Sequence, residues 1–402
     1  MTAANSPASS NVSPSGIVPL ARTKASVALD AIRGIAALLV FINHWRRLFF
    51  IPFHDVHAHR AALAIFYLIT DAGDQAVIVF FVLSGLLVGG TIVRALEQQR
   101  WTWKQYLTHR LVRLWLVLLP ALVLGVLWDR LSLHLYAHGY AHSSGYSGAV
   151  IQYIYPSSVV SHALTLPVFL GNAVFLQRIL VPELGTNGAL WTLANEFWYY
   201  LLFPFALFAL RPHYKPLQRV LFGLGFVLMA CFVGWKIMLL FPIWLAGAAL
   251  LVIPRRSLST STRLAAAMAY IAIFFGCVAF AHGHTALSNT VLAVATATFF
   301  WTLLSATEAS SHGPAERLAR NTAGFSYTLY LVNMPILYCL AGFLLHDTPW
   351  IPTPRNVLVA LPLLLLVILY AWIIAQATEF RLIPVRRWVE SKLFPVASNN
   401  SQ

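Results

Sequence analysis

Long apolar runs recur along the chain, each close to the length that crosses a bilayer, and short polar segments separate them. Inside the runs the apolar residues are continuous, as in LVLLPALVLGVLW and LPLLLLVILYAWII. Strands of a membrane barrel alternate apolar and polar positions, so this pattern predicts helices. Lipid imposes the same choice, because a helix satisfies its backbone polar groups within itself. Spans are expected near 27–45, 75–93, 107–128, 190–210, 217–234, 237–253, 264–281, 289–306, 324–345 and 356–376. Another apolar stretch, 161–181, is interrupted by Pro167, Gly171 and Asn172 and reads as a re-entrant or surface segment. The expected fold class is all-α: a polytopic membrane protein with about ten transmembrane helices.

Composition agrees. Of the 402 residues 59% are apolar and 10% charged, against roughly 25% charged in soluble domains. Lys and Arg total 27 against 13 Asp and Glu, a net charge of +14. In such a chain the excess reports topology rather than nucleic-acid binding. With ten alternating spans, nineteen of the 27 basic residues lie on the side of the N-terminus and seven opposite, with Arg33 inside the first span. Counting 161–181 as a span would move Arg211, Lys215, Arg219, Arg255, Arg256 and Arg263 to the outer side. Both termini are therefore expected in the cytoplasm. The expected organisation is a disordered tail over 1–26, a membrane domain over 27–388 with an outer segment at 129–189, and a cytoplasmic tail over 389–402.

Candidate chemistry lies in polar groups that a membrane span ordinarily excludes. Arg33 and His44 are eleven residues apart, about three helical turns and about 16 Å, so they share one face. They read either as two interfacial residues or as two ends of one path. Asp30 stands one turn before Arg33 and is placed to support it. Arg110 and Arg113 share a face at the start of the third span and read as membrane anchors or as a phosphate clamp. Glu196 lies in an aromatic, apolar stretch and needs a partner or a proton. Ser326, Tyr327, Tyr330 and Asn333 fall in one span, where they can bind an extended polar ligand or join helices.

Cys231, Cys277 and Cys339 sit in apolar runs at no metal or redox spacing and read as core residues. The outer segments HDVHAH, HGYAH and HGH lack supporting cysteines or a dense carboxylate set, and no metal is expected there. Tyr136, Tyr140, Tyr146, Tyr153 and Tyr155 read as an interfacial belt, or as platforms for sugar rings.

Taken together, from Ala28 to Arg387, these motifs resemble the acyltransferase-3 family, membrane O-acyltransferases of cell-surface glycans and related acceptors. The family pattern opens with an arginine, ten residues and a histidine, here Arg33 and His44 in LDAIRGIAALLVFINHW. Its FFVLSGF is FFVLSGLL here, and its paired arginines are Arg110 and Arg113. Its W-S/T-L-x-x-E is WTLANE, Trp191 to Glu196, and its SYxxYLxHxP is SYTLYLVNMP, Ser326 to Pro335. One departure stands out: Asn333 occupies the place of a family histidine, and an amide does not exchange a proton near neutral pH.

The resemblance implies a bacterial inner-membrane enzyme that takes an acyl group, commonly acetyl, from cytoplasmic acyl-CoA. The acceptor is a hydroxyl of a carbohydrate or related molecule at the outer face. Arg110 and Arg113 would hold the CoA phosphates, and Arg33 the phosphate or upper pantetheine arm. Ser326, Tyr327 and Tyr330 would line the channel, with Trp191 and Asn333 on the acceptor. His44 would act as base or as a transient acyl carrier, with Glu196 orienting its ring. Membrane lipid is the remaining partner, and neither metal nor nucleic acid is expected. The rival readings are a proton-coupled transporter, although the two halves show no convincing repeat, and a catalytically silent scaffold.

Overall fold

The computed structural model describes residues 23–138, 157–280, 285–306, 313–345 and 349–394. Among them the chain is helical and contains no strand. The helices are α1 (Lys24–Phe49), α2 (Arg60–Thr70), α3 (Gly73–Glu97), α4 (Trp103–Ala137), α5 (Ser157–Ala163), α6 (Leu166–Ala173) and α7 (Trp191–Leu210). They continue as α8 (Pro216–Met238), α9 (Phe241–Ala249), α10 (Thr260–Phe280), α11 (Thr285–Leu304), α12 (Pro314–Gly324), α13 (Ser326–Leu344), α14 (Pro354–Ala377) and α15 (Leu382–Leu393). Threonines start several of them: Thr23, Thr102 and Thr353 accept from the backbone N–H groups of Ser26, Gln105 and Asn356. The chain enters α1 at Lys24, inside the stretch expected as a tail. Residues 1–22, most of HGYAH, all of HGH, and Tyr140, Tyr146, Tyr153 and Tyr155 lie outside the described residues.

Nine helical segments among the described residues are long and apolar enough to cross a membrane. Nine of the expected spans correspond to them. The stretch 161–181 folds as short α6 and turns, not as a span. The tenth expected span, 237–253, is mostly α9, and nine residues rise only about 14 Å. Hydropathy over 237–253 suffices for a span, but the backbone reverses at Gly234, where φ is 75°.

Contacts trace that reversal. α8 climbs antiparallel to α7, with Gly225 against Phe205 and Trp198 5.4 Å from Phe232. Beyond Gly234 the chain descends again, with Phe241 on Tyr199 at 5.1 Å and Trp244 on Phe203 at 5.1 Å. α9 thus runs back beside α7 and α3, toward the side from which α8 began. It lies very close to α3: a Cβ on Gly85 would overlap the Trp244 carbonyl, and one on Gly247 would overlap the Val82 carbonyl. Small residues permit such approach where lipid supplies no hydrophobic drive between helices.

α13 is the central helix, with most of its residues buried, and it packs on α1, α4 and α14. α8, α10 and α14 expose apolar side chains such as Leu224, Met268 and Leu365 outward, as a lipid-facing layer does. Cys339 is buried, but Cys231 is on the exposed face of α8 and does not belong to the core, contrary to its sequence reading. Asn43, Arg46 and Arg47 fasten α1 to the α2–α3 junction. Asn43 Nδ2 donates to the Thr70 carbonyl at 3.0 Å, Arg46 pairs with Asp71, and Arg47 meets Asp74 at 2.9 Å.

The two kinds of glycine should respond differently to substitution. Gly85→Val or Gly247→Val forces α3 and α9 apart and is expected to abolish monodisperse protein after detergent extraction. Gly234→Ala meets nothing within 4 Å. It carries only the positive-φ strain, about 1–3 kcal/mol, and is expected to lower the melting temperature without loss of fold. Size-exclusion profiles and thermal melts distinguish the two outcomes.

Candidate functional site

A cavity with about 830 Å³ of empty volume, part of it open to solvent, lies between α1, α3, α4, α7 and α13. It gathers Arg33, Arg110, Arg113, Glu196, Ser326, Tyr327 and Tyr330 into one lining. Along α3 the lining runs from Val77 to Val88, eleven residues or about 16 Å of rise. α1 and α3 run antiparallel, because Asn43 lies against Gly73. Arg33 therefore lies nearer the Val88 side than His44, which stands beyond the Val77 end.

The arginines occupy one region. Arg33 pairs with Asp30 at 3.3 Å and donates to the Ala323 carbonyl at 3.3 Å. Arg110 donates to Thr91 Oγ1 at 2.6 Å and lies over the rings of Tyr106 and Tyr200, 5.5 and 5.6 Å from their centroids. Arg113 is within electrostatic reach of Arg33 and of the carboxylates of Glu196 and Glu379.

Glu196 is held by a chain of side chains. Trp244 Nε1 donates to Ser84 Oγ at 3.1 Å, and Ser84 Oγ donates to Glu196 Oε1 at 3.1 Å. The Tyr200 hydroxyl, four residues along α7, donates to the same oxygen. The Ser-Gly of FFVLSG thereby acquires a physical reason. Gly85 lets α9 approach, and Ser84 carries the indole hydrogen bond of α9 to the carboxylate. The Tyr327 hydroxyl is buried and makes no hydrogen bond among the described residues.

At the other end the His44 imidazole meets Asn333, with Nδ1 2.8 Å from Oδ1. The hydrogen bond that orients this ring comes from Asn333. Glu196, expected in that role, is committed instead to Ser84 and Tyr200. Neither His44 nor Asn333 is part of the cavity lining. Tyr330 connects the two regions. Its ring faces Phe80 at 6.0 Å, its hydroxyl is 3.0 Å from Thr192 Oγ1, and its carbonyl accepts from Asn333 Nδ2 at 2.9 Å. Trp191 also stands off the lining. It packs on Phe81 at 5.9 Å, and the Arg178 guanidinium covers it at 4.6 Å.

Local sequence explains how α13 presents these groups. Pro335 has no N–H, so the Leu331 carbonyl one turn earlier loses its helical partner. Asn187 Nδ2 supplies the missing donor at 2.8 Å and ties the segment before α7 to α13. Asp129 braces the same segment by accepting from the Thr186 N–H at 2.9 Å and its hydroxyl at 2.6 Å.

Sequence reasoning passed over Glu379. Its carboxylate accepts from the Thr328 N–H at 3.0 Å and hydroxyl at 3.1 Å, capping the first turn of α13. It also faces Arg33 and Arg113. The available signal was a lone acid just past the last apolar run of a chain with only 13 acidic residues. Ser84, Thr192 and Tyr200 were missed as well. Among the described residues no three His, Cys, Asp or Glu side chains gather to hold a metal ion.

A family model described as an acyltransferase domain matches residues 26–376. No curated protein and no solved structure matches the chain.

Glu379→Ala removes both the cap of α13 and a counter-charge of the arginine cluster. It is expected to lower thermal stability by about 1–2 kcal/mol, whereas exposed Glu97→Ala leaves it unchanged. Melting curves in detergent check the difference.

Proposed function

We propose that this chain, which belongs to the acyltransferase-3 family, moves an acyl group from cytoplasmic acyl-CoA to a hydroxyl presented at the opposite membrane face. The acceptor class is a cell-envelope glycan or a related molecule, and the setting is the bacterial cytoplasmic membrane. The observation that carries this reading is the cavity itself. Three arginines stand at one end, and the other end stops at Tyr330, whose backbone touches the Asn333–His44 pair.

Guanidinium groups match phosphate oxygens in fixed geometry, so Arg33, Arg110 and Arg113 suit a nucleotide diphosphate. An extended pantetheine arm reaches on the order of 15–20 Å, comparable with the rise along α3 between the two ends. The Tyr327 hydroxyl offers a hydrogen bond to an amide of that arm. Family membership favours acyl transfer over proton-coupled transport.

His44 then acts as base. The acceptor hydroxyl gives its proton to the imidazole as its oxygen bonds to the thioester carbonyl carbon. The tetrahedral species collapses, the C–S bond breaks with its electron pair on sulfur, and the imidazolium returns the proton to the thiolate. The products are the ester and free CoA, and the enzyme is regenerated. Base catalysis of this kind contributes typically 10²–10⁴-fold.

Purified protein in nanodiscs, given radiolabelled acetyl-CoA and glycan acceptors, should form labelled ester. His44→Ala should lose about 10²–10⁴-fold in turnover while folding normally. Near-normal transfer by that variant would remove His44 from the chemistry. Arg110→Ala with Arg113→Ala should raise the KM for donor at least tenfold. An unchanged KM would return both arginines to membrane anchoring.

A further inference from the structure

We propose that Asn333 is the positioning residue that holds the His44 imidazole as its Nδ1–H tautomer, so that Nε2 alone exchanges the acceptor's proton. This rests on His44 being the base, and it specifies which atom acts and what directs it.

The argument is one of hydrogen-bond capacity. A side-chain amide has one acceptor oxygen and two N–H donors. Both donors of Asn333 are used within α13, on the Leu329 carbonyl at 2.8 Å and the Tyr330 carbonyl at 2.9 Å. Turning the amide over would set its oxygen against those two carbonyl oxygens, with no hydrogen between. Asn333 is fully buried, so water does not relieve that repulsion. The amide orientation is therefore fixed, and Oδ1 must face His44.

Oδ1 only accepts. At 2.8 Å from Nδ1 the contact is favourable when Nδ1 carries the hydrogen. A neutral imidazole has one ring proton, so the lone pair is left on Nε2. No described residue hydrogen-bonds Nε2. Among charged side chains, Arg47 and Asp74 act on the ring, and each has a partner of its own in the other.

Two consequences follow. The proton taken from the acceptor at Nε2 must leave from Nε2, because Asn333 accepts a hydrogen bond but never the proton. The Nδ1 proton stays in place throughout the cycle. A neutral amide at this position supplies orientation alone. Asn333 thus resembles in role the carboxylate of a catalytic triad, which fixes the histidine tautomer. It lacks the negative charge that would also stabilise the imidazolium.

The test reads the tautomer directly. Wild-type protein carrying ¹⁵N-labelled histidine is reconstituted in nanodiscs, and His44 is assigned by difference from His44→Gln. The expected spectrum has a protonated Nδ1 and an unprotonated Nε2. Asn333→Leu should give a mixture of tautomers and lower kcat tenfold or more, with the KM for acetyl-CoA unchanged. A wild-type Nε2–H tautomer would overturn the proposal, as would an unaltered kcat in Asn333→Leu. If Asn333→Leu does not fold, the wild-type spectrum still decides. The two levels of the account fail separately. An active His44→Ala removes the base, whereas an inactive His44→Ala with a wrong wild-type tautomer removes only the role of Asn333.

Discussion

A guanidinium taken from bulk water needs anions or aromatic faces around it, and this bundle places three beside one cavity. Arg33 leans on Asp30, Arg110 lies over two tyrosine rings, and Arg113 is within electrostatic reach of Glu196 and Glu379. The two glutamates are themselves anchored to other helices. Glu196 is held through Ser84 to Trp244 on α9, and Glu379 caps α13. Satisfying the arginines thus couples α1, α3, α4, α7, α9 and α13 into one body. Among the described residues no bidentate carboxylate neutralises any of the three guanidiniums, which is what the proposed phosphate-holding role requires.

The other end of the cavity follows a different logic. The hydrogen-bond partner of His44 is neutral: an amide whose donors are spent on backbone carbonyls, on a helix whose freed carbonyl is repaired by Asn187. Charge gathers at the end proposed to hold phosphate, and a neutral amide orients the ring proposed to move a proton. Tyr330 separates the two regimes through contacts on both sides.

Much of this was legible in the sequence because helices obey a fixed period. The eleven-residue spacing places Arg33 and His44 on one stripe, and Arg110 and Arg113 join Arg33 in the cavity lining, with His44 beyond its end. The acid one turn before Arg33 does pair with it. Other features were hidden for physical reasons. Hydropathy counts apolar residues and does not register a backbone reversal, so the half-length of α9 behind Gly234 was invisible. Glu379 lies past the last apolar run, where an acid ordinarily reads as interfacial. Glu196 is expected beside His44 because acids commonly orient catalytic histidines. Their true partners, Ser84 and Asn333, come from segments far away in the chain.

A donor held by the three arginines in this cavity must carry its thioester past Tyr330 to reach His44. The most direct measurement is a cryo-EM structure of the protein with a non-hydrolysable acetyl-CoA analogue. The account predicts the diphosphate against Arg33, Arg110 and Arg113, with the thioester carbonyl past Tyr330 and within reach of His44 Nε2. An analogue bound outside this cavity, or with its acyl end directed away from His44, would contradict it.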